Sequence, residues 1–224
     1  MKRSEINQLI RDAEVFFEQM NFKLPPWSRW GPDEWIGKYE NCFEILDNMV
    51  AWDMTDVGSG DFYKCGLFLF TLRNGNLKKD KKPYAEKIMI VEENQETPLH
   101  FHWSKMEDII NRGGGNLVLE LYASDEKDAL SDAEFDIHID GIQHHLKAGA
   151  RVILKPGESI CLKQRIYHRF YGEPGKGKVL VGEVSAVNDD TVDNRFFDPV
   201  GRFPAIEEDE KPVHLLVSDY KNFI

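Results

Sequence analysis

Pro98-Leu99-His100-Phe101-His102-Trp103-Ser104-Lys105-Met106-Glu107, with Gly114 seven residues beyond, is the stretch on which the fold turns. In an extended strand residues i and i+2 share a face, so His100 and His102 point the same way and Phe101 points oppositely, into a packing layer. Glu107 follows across a turn and can return a carboxylate to the histidine side. Two imidazoles and a carboxylate on one face of a sheet make a metal site with positions left open. Paired strand histidines also occur as ordinary hydrogen-bonded polar faces. What favours a metal here is the later His168, in Arg165-Ile166-Tyr167-His168-Arg169-Phe170, which follows a strand opened by the turn Pro156-Gly157-Glu158.

Around this block the chain is written as strands. Gly66–Leu72, Lys87–Val91, Asn116–Tyr122, Phe135–Ile139, Arg151–Leu154, Ser159–Leu162 and Lys178–Val184 are short β-type runs. Turn residues separate them, as at Asn74-Gly75, Asp140-Gly141 and Pro156-Gly157. Short strands with turn signals and no intervening helices predict an all-β antiparallel barrel or sandwich. Before it, Ser4 is placed to cap a helix whose apolar stripe is Ile6, Leu9, Ile10, Ala13, Phe16, Phe17 and Met20. Phe22 to Trp35 holds three prolines and three tryptophans without periodicity, an ordered aromatic arm that covers a barrel end or crosses to a partner subunit. One domain is expected over 1–224: helix and arm in 1–43, barrel in 44–188, and a covering segment in 189–224 over the barrel mouth.

The bulk properties exclude several classes. Hydrophobic residues at 42% and charged residues at 30% suit a globular chain with a buried core. A net charge of −11 without a basic stripe argues against a nucleic-acid partner. No run approaches the roughly 18 apolar residues of a membrane span, and no signal peptide opens the chain, so a cytoplasmic location is expected. Cys42, Cys65 and Cys161 are scattered and read as reduced thiols without a chemical role. His138, His144, His145 and His214 read as surface or structural residues.

The pattern His-x-His-x4-Glu-x6-Gly ending at Gly114 resembles the first signature motif of the cupin superfamily, with His168 in place of the second motif's histidine. The second motif is degenerate, since Pro156 and Gly157 are adjacent and the spacing to His168 is long. The resemblance extends further. The N-terminal helix and Trp-rich arm, the His100–Glu107 block, Gly182-Glu183-Val184-Ser185 through Asp190, Asp193–Phe196 and Gly201–Pro204 together resemble the D-lyxose isomerase family over essentially the whole chain. That resemblance implies a cupin barrel or jelly roll holding a divalent metal, usually Mn²⁺, with ligands His100, His102, Glu107 and His168. Zn²⁺, Co²⁺ or Fe²⁺ would also suit three imidazoles and a carboxylate. It implies a small-molecule sugar substrate, with interconversion of D-lyxose and D-xylulose and, by shared stereochemistry, of D-mannose and D-fructose. A homodimer is the oligomer expected from it and from the aromatic arm.

Candidate proton carriers follow from position. Lys105 lies between two ligands and can polarise a sugar oxygen or act as a base. Glu183 sits mid-strand in an apolar run, where a buried carboxylate needs a reason. Glu207 is a third candidate for catalysis, and Asp190 and Arg202 are candidates for holding sugar hydroxyls, all three in the segment expected to roof the site. Three other readings share the motifs: a cupin-type phosphoglucose isomerase, an Fe²⁺ cupin dioxygenase and a non-catalytic sugar-binding cupin.

Overall fold

The computed structural model describes residues 1–187, 189, 192–201 and 205–223. A helix, α1 (Arg3–Gln19), precedes the β-region. The strands follow as β1 (Trp52–Thr55), β2 (Leu67–Arg73), β3 (Tyr84–Val91), β4 (His100–His102), β5 (Glu107–Gly114), β6 (Leu117–Ser124) and β7 (Leu130–Ser131). After them come β8 (Phe135–Ile139), β9 (Ile142–Leu146), β10 (Ala150–Leu154), β11 (Ser159–Leu162), β12 (Ile166–Gly172), β13 (Val179–Ala186) and β14 (Asn194–Phe196). Two curled antiparallel sheets result, in the orders β1-β2-β3-β13-β5-β11-β8-β9 and β10-β6-β12-β4-β14, with β7 on β6. This is the mainly-β cupin arrangement.

Alternation builds the core between the sheets. Leu69, Met89, Val91, Ile109, Val179 and Val181 of the larger sheet face Leu117, Leu119, Leu121, Val152, Leu154 and Phe170 of the smaller one. The intervening residues Phe68, Phe70, Ile88, Ile90 and Leu180 point outward and are covered by Ile6, Ile10, Ala13, Phe16 and Phe17 of α1. The helical stripe and the strand alternation therefore meet in a second apolar layer. Each large side chain buried there contributes about 1.5–3 kcal/mol.

The aromatic arm folds onto its own chain. Trp27 packs 5.3 Å from Phe70, Trp35 lies against Trp27, Trp30 and Tyr220, and the Trp52 indole N–H donates to Ser28 O at 3.0 Å.

Two local expectations are corrected, and two further strands appear. Ser4 is not the cap of α1: the helix begins at Arg3, and the N–H and hydroxyl of Ser4 both donate to Asp209, at 2.9 and 2.7 Å. A carboxylate from the other end of the chain thus serves the helix N-terminus, which attracts negative charge. Glu107–Gly114 forms a strand, β5, that its polar sequence does not announce, and the polar stretch at His144 and His145 is an edge strand, β9, hairpinned to β8. Helix also extends past residue 44, since Tyr39–Asp47 is helical.

The three cysteines are half-buried and unbridged. Burial, with a hydrogen bond to Asp108, pushes the Cys161 thiol up to about 11, which leaves it unreactive at neutral pH. Among the described residues, no helix is long and apolar enough to cross a membrane.

Candidate active site

The two sheets bring four expected residues to one end of the interior. His100 and His102 lie on β4, and His168 on β12 is the cross-strand partner of His100. Glu107 opens β5 in the opposite sheet, between Ser185 and Leu162 in register. The imidazole donor atoms of His100, His102 and His168 lie within 4.8 Å of one another. Glu107 Oε1 is 3.0 Å from His168 Nε2 and 3.3 Å from His102 Nε2. Phe101 turns to the outer face, fully buried against Tyr167 and Trp103 at 4.8 Å each, as alternation requires.

Gly114, the last residue of the motif, has a structural cause. Its φ is +86°, and a Cβ there would sit 2.3 Å from Lys178 O. Only glycine lets β5 end beside the chain entering β13.

The donor set fits a divalent cation. His100 Nδ1 sits 2.8 Å from Pro98 O and His168 Nδ1 3.0 Å from Ile166 O. Each carbonyl accepts the Nδ1–H, leaving the lone pair on Nε2, the tautomer a ligand needs. His102 Nδ1 is buried without a partner among the described residues, so a bound cation at Nε2 is what would fix that ring. Burial, reinforced by the neighbouring imidazoles, pushes His100 well below the usual histidine range and keeps it neutral. Burial alone would raise Glu107, but the Lys105 ammonium and the imidazoles of His102 and His168 outweigh it and hold this carboxyl well below its ordinary value.

Beside the histidines runs a chain of alternating charges. Lys105 Nζ lies 2.7 Å from Glu107 Oε2 and 2.8 Å from Glu183 Oε1, and its side chain is 3% exposed. Glu183, on β13, also takes Lys87 Nζ at 3.2 Å and the Ser185 hydroxyl at 3.0 Å. Burial pushes Glu183 up, yet Lys105 and then Lys87 more than offset it, so the carboxylate is ionised. Lys105 is held from behind by Asp193, whose carboxylate accepts from Ser104 N (2.8 Å), Ser104 Oγ (2.6 Å) and Lys105 N (3.0 Å).

The C-terminal segment divides. Its first part pairs β14 with β4 and stacks Phe196 on His100 at 5.5 Å. Its second part runs to α1 on the outer layer and takes Glu207 with it. There Glu207 is exposed, its backbone bridged to Lys2 and bonded to Met1 and Arg3, so it is not brought to the cluster. Asp190 and Arg202 lie outside the described residues. Sequence reasoning missed Lys87, Ser185 and Asp193. For Lys87 a signal existed: it shares strand parity with the buried Met89 and Val91, where a lysine needs a partner. The remaining histidines stay apart from the cluster, as expected. His145 is exposed between Asp136 and Glu134, and His214 lies near Trp30 O and Glu14.

A family model described as D-lyxose isomerase matches residues 1–220. A D-lyxose/D-mannose isomerase of Serratia proteamaculans is 49% identical over 227 residues, and one of Escherichia coli O157:H7 is 46% identical over 226, each match covering all of both chains. Among solved structures, a mutant L-ribose isomerase of Acinetobacter sp. DL28 in complex with L-ribose superimposes with a TM-score of 0.61 at 14% identity. It covers 92% of this chain and 98% of that one. A ligand-free Cellulomonas parahominis L-ribose isomerase gives 0.60 at 15% with the same coverage. These structural likenesses establish the fold, while the full-length sequence matches carry more: the chain belongs to the D-lyxose isomerase family and is a sugar isomerase.

Proposed function

We propose that this protein is a metal-dependent aldose–ketose isomerase that interconverts D-lyxose and D-xylulose, and D-mannose and D-fructose, through a cis-enediol. The observation that carries this reading is the Lys105–Glu183 pair, buried beside three imidazoles and Glu107. It supplies a base and a proton donor next to a place where a sugar's adjacent oxygens can be held. His100, His102, Glu107 and His168 would hold the metal, and Mn²⁺ is the ion we assign. When bound, such a cation supplies Lewis-acid polarisation of the C1 and C2 oxygens.

The protein's own groups account for the proton movements. The Glu183 carboxylate takes the proton from C2 of the aldose, and the C2–H electrons form the C1=C2 bond as the carbonyl electrons move to O1. Lys105, an ammonium between two carboxylates, stabilises the developing charge and supplies a proton to O1. Reversal at the neighbouring carbon completes the reaction: the O2 proton passes to the Lys105 amine and restores its ammonium, C2=O forms, and the C1=C2 electrons take the proton back from Glu183 at C1. Phe196 stacks on His100, and the buried Phe101–Tyr167 pair backs the ligand strand.

Among the described residues the phosphoglucose isomerase reading loses its phosphate ligands. Arg169 is turned out of the barrel and paired with Glu96 and Glu120, Arg165 is paired with Asp128, and Lys105 is held between two carboxylates. Sugar-isomerase family membership sets aside the dioxygenase and non-catalytic readings. Within the proposal the enzyme works as a homodimer in the cytoplasm.

The deciding assay measures D-xylulose formation from D-lyxose by chelated protein before and after Mn²⁺ addition, with the His100→Ala variant alongside. Activity restored in the wild type and absent in the variant is the expected result. Mn²⁺ binding without lyxose conversion would sink the reading. D-mannose shares the C2–C4 configuration of D-lyxose, so D-fructose should form from it, and its absence would remove the second substrate pair.

A further inference from the structure

Glu183 is held unsymmetrically. Its Oε1 takes Lys105 Nζ at 2.8 Å, the Ser185 hydroxyl at 3.0 Å and Lys87 Nζ at 3.2 Å. Among the described residues no donor reaches Oε2. An oxygen already accepting three donors, two of them cationic, is a poor proton acceptor, whereas its geminal partner keeps its lone pairs. Two of the three ties come from residues outside the metal-ligand loop. Lys87 faces Glu183 directly across the β3–β13 ladder, and Ser185 lies two residues along β13 on the same face. Lys87 is a costly residue in this place, because its same-face neighbours Ala85 and Met89 are 4% and 1% exposed.

We propose that Lys87 and Ser185 are positioning residues that pin Glu183 Oε1, so that Oε2 is the atom that takes the proton from one sugar carbon and returns it to the next. The inference rests on Glu183 being the proton carrier. A carboxylate free to rotate would present either oxygen at varying distance from both carbons. One pinned by the sheet moves little between abstraction and return, which proton transfer between adjacent carbons requires.

The experiment compares Lys87→Met, Lys87→Arg, Ser185→Ala and Glu183→Gln for kcat and KM on D-lyxose, with Mn²⁺ affinity measured separately by calorimetry. Lys87→Met should lower kcat by ~10–100-fold with KM nearly unchanged, because a small misplacement of a reacting group costs up to that much. Ser185→Ala, which removes one neutral tie without altering charge, should lower kcat by about 3–10-fold. Lys87→Arg should recover most of the loss, and Mn²⁺ affinity should stay at the wild-type value in all of them. An unchanged kcat in Lys87→Met, while Glu183→Gln is inactive, overturns the positioning role and leaves Glu183 as carrier. A loss confined to KM, or a parallel fall in Mn²⁺ affinity, also overturns it, by moving Lys87 to sugar binding or to the metal ligands. Full turnover in Glu183→Gln removes the underlying reading itself. Should Lys87→Met fail to fold, Ser185→Ala decides by the same kcat criterion.

Discussion

At the scale of single residues, the site is a set of costly burials that justify one another. His102, His168, Glu107, Glu183 and Lys105 are buried and His100 and Lys87 partly so, and each is tolerable only because its neighbours carry the complementary charge or lone pair. His168→Ala should therefore weaken Mn²⁺ binding by at least the roughly 10–100-fold typical of disturbing a metal site's supporting groups. Calorimetry on the metal-free variant measures this. Wild-type affinity would place His168 outside the ligand set. The residues themselves differ in how plainly the sequence shows them. His100 and His102 share a side by strand parity, Glu107 follows them across one turn, and Glu183 is conspicuous as an acid in an apolar run. Lys87 begins an apolar run, where it passes for the end of a solvated loop until its partner across the ladder is known.

At the scale of elements, the turn between β4 and β5 is the part with the narrowest tolerance. It must place Lys105 between two carboxylates, and Asp193, 5% exposed, fastens it through three hydrogen bonds. Burial raises the Asp193 carboxyl, but the Ser104 and Lys105 donors more than compensate and hold it below the ordinary aspartate value. A depressed folded-state value means that this stabilisation is complete above the ordinary aspartate range and is lost as pH falls through the lowered one. Asp193→Asn should flatten that part of the acid-denaturation curve, and Asp193→Ala should cost about 1–3 kcal/mol at neutral pH, since buried donors lose their acceptor. Urea titrations of both variants between neutral and acidic pH test this. Unchanged curves would make the Asp193 contacts incidental. Element assignment from sequence succeeded where β-branched and apolar residues run together, as in β2, β6 and β13. It failed for β5, whose Asn111-Arg112-Gly113-Gly114 mimics a loop, and for β9, whose Gln143-His144-His145 is polar because an edge strand needs no buried face.

At the scale of the whole molecule, the two chain ends lock together against the barrel. Arg3, fully buried, pairs with Asp219 at 2.7 Å and with Glu208 at 2.7 Å, and the Asp219 carboxylate also accepts Leu216 N. Removing the cation leaves Asp219 buried without its counterion, so Arg3→Met should destabilise by about 3–5 kcal/mol. A urea midpoint shift measures it, and a change below ~1 kcal/mol would show that the lock contributes little. Metal should act on the same equilibrium. A ligand that binds only the folded barrel stabilises it by about 2.7 kcal/mol at a hundred times its Kd, so chelation should lower Tm and Mn²⁺ should restore it. An unchanged Tm would place the cation outside the folding equilibrium.

What the sequence determined by itself is what depends on local order along the chain. The period-2 runs with their turns predicted an antiparallel barrel or sandwich, the 3.6-residue stripe predicted α1, and His-x-His set two imidazoles on one face of one strand. What only tertiary structure decided is everything that joins residues distant in sequence. It set Glu207 beside Lys2, out of the cluster, and turned the aromatic arm back onto its own sheet. It brought Lys87 across the ladder to Glu183 and Asp193 behind Lys105. Strand parity reveals which way a side chain points, but register between strands some ninety residues apart follows from how the two sheets close around a shared core.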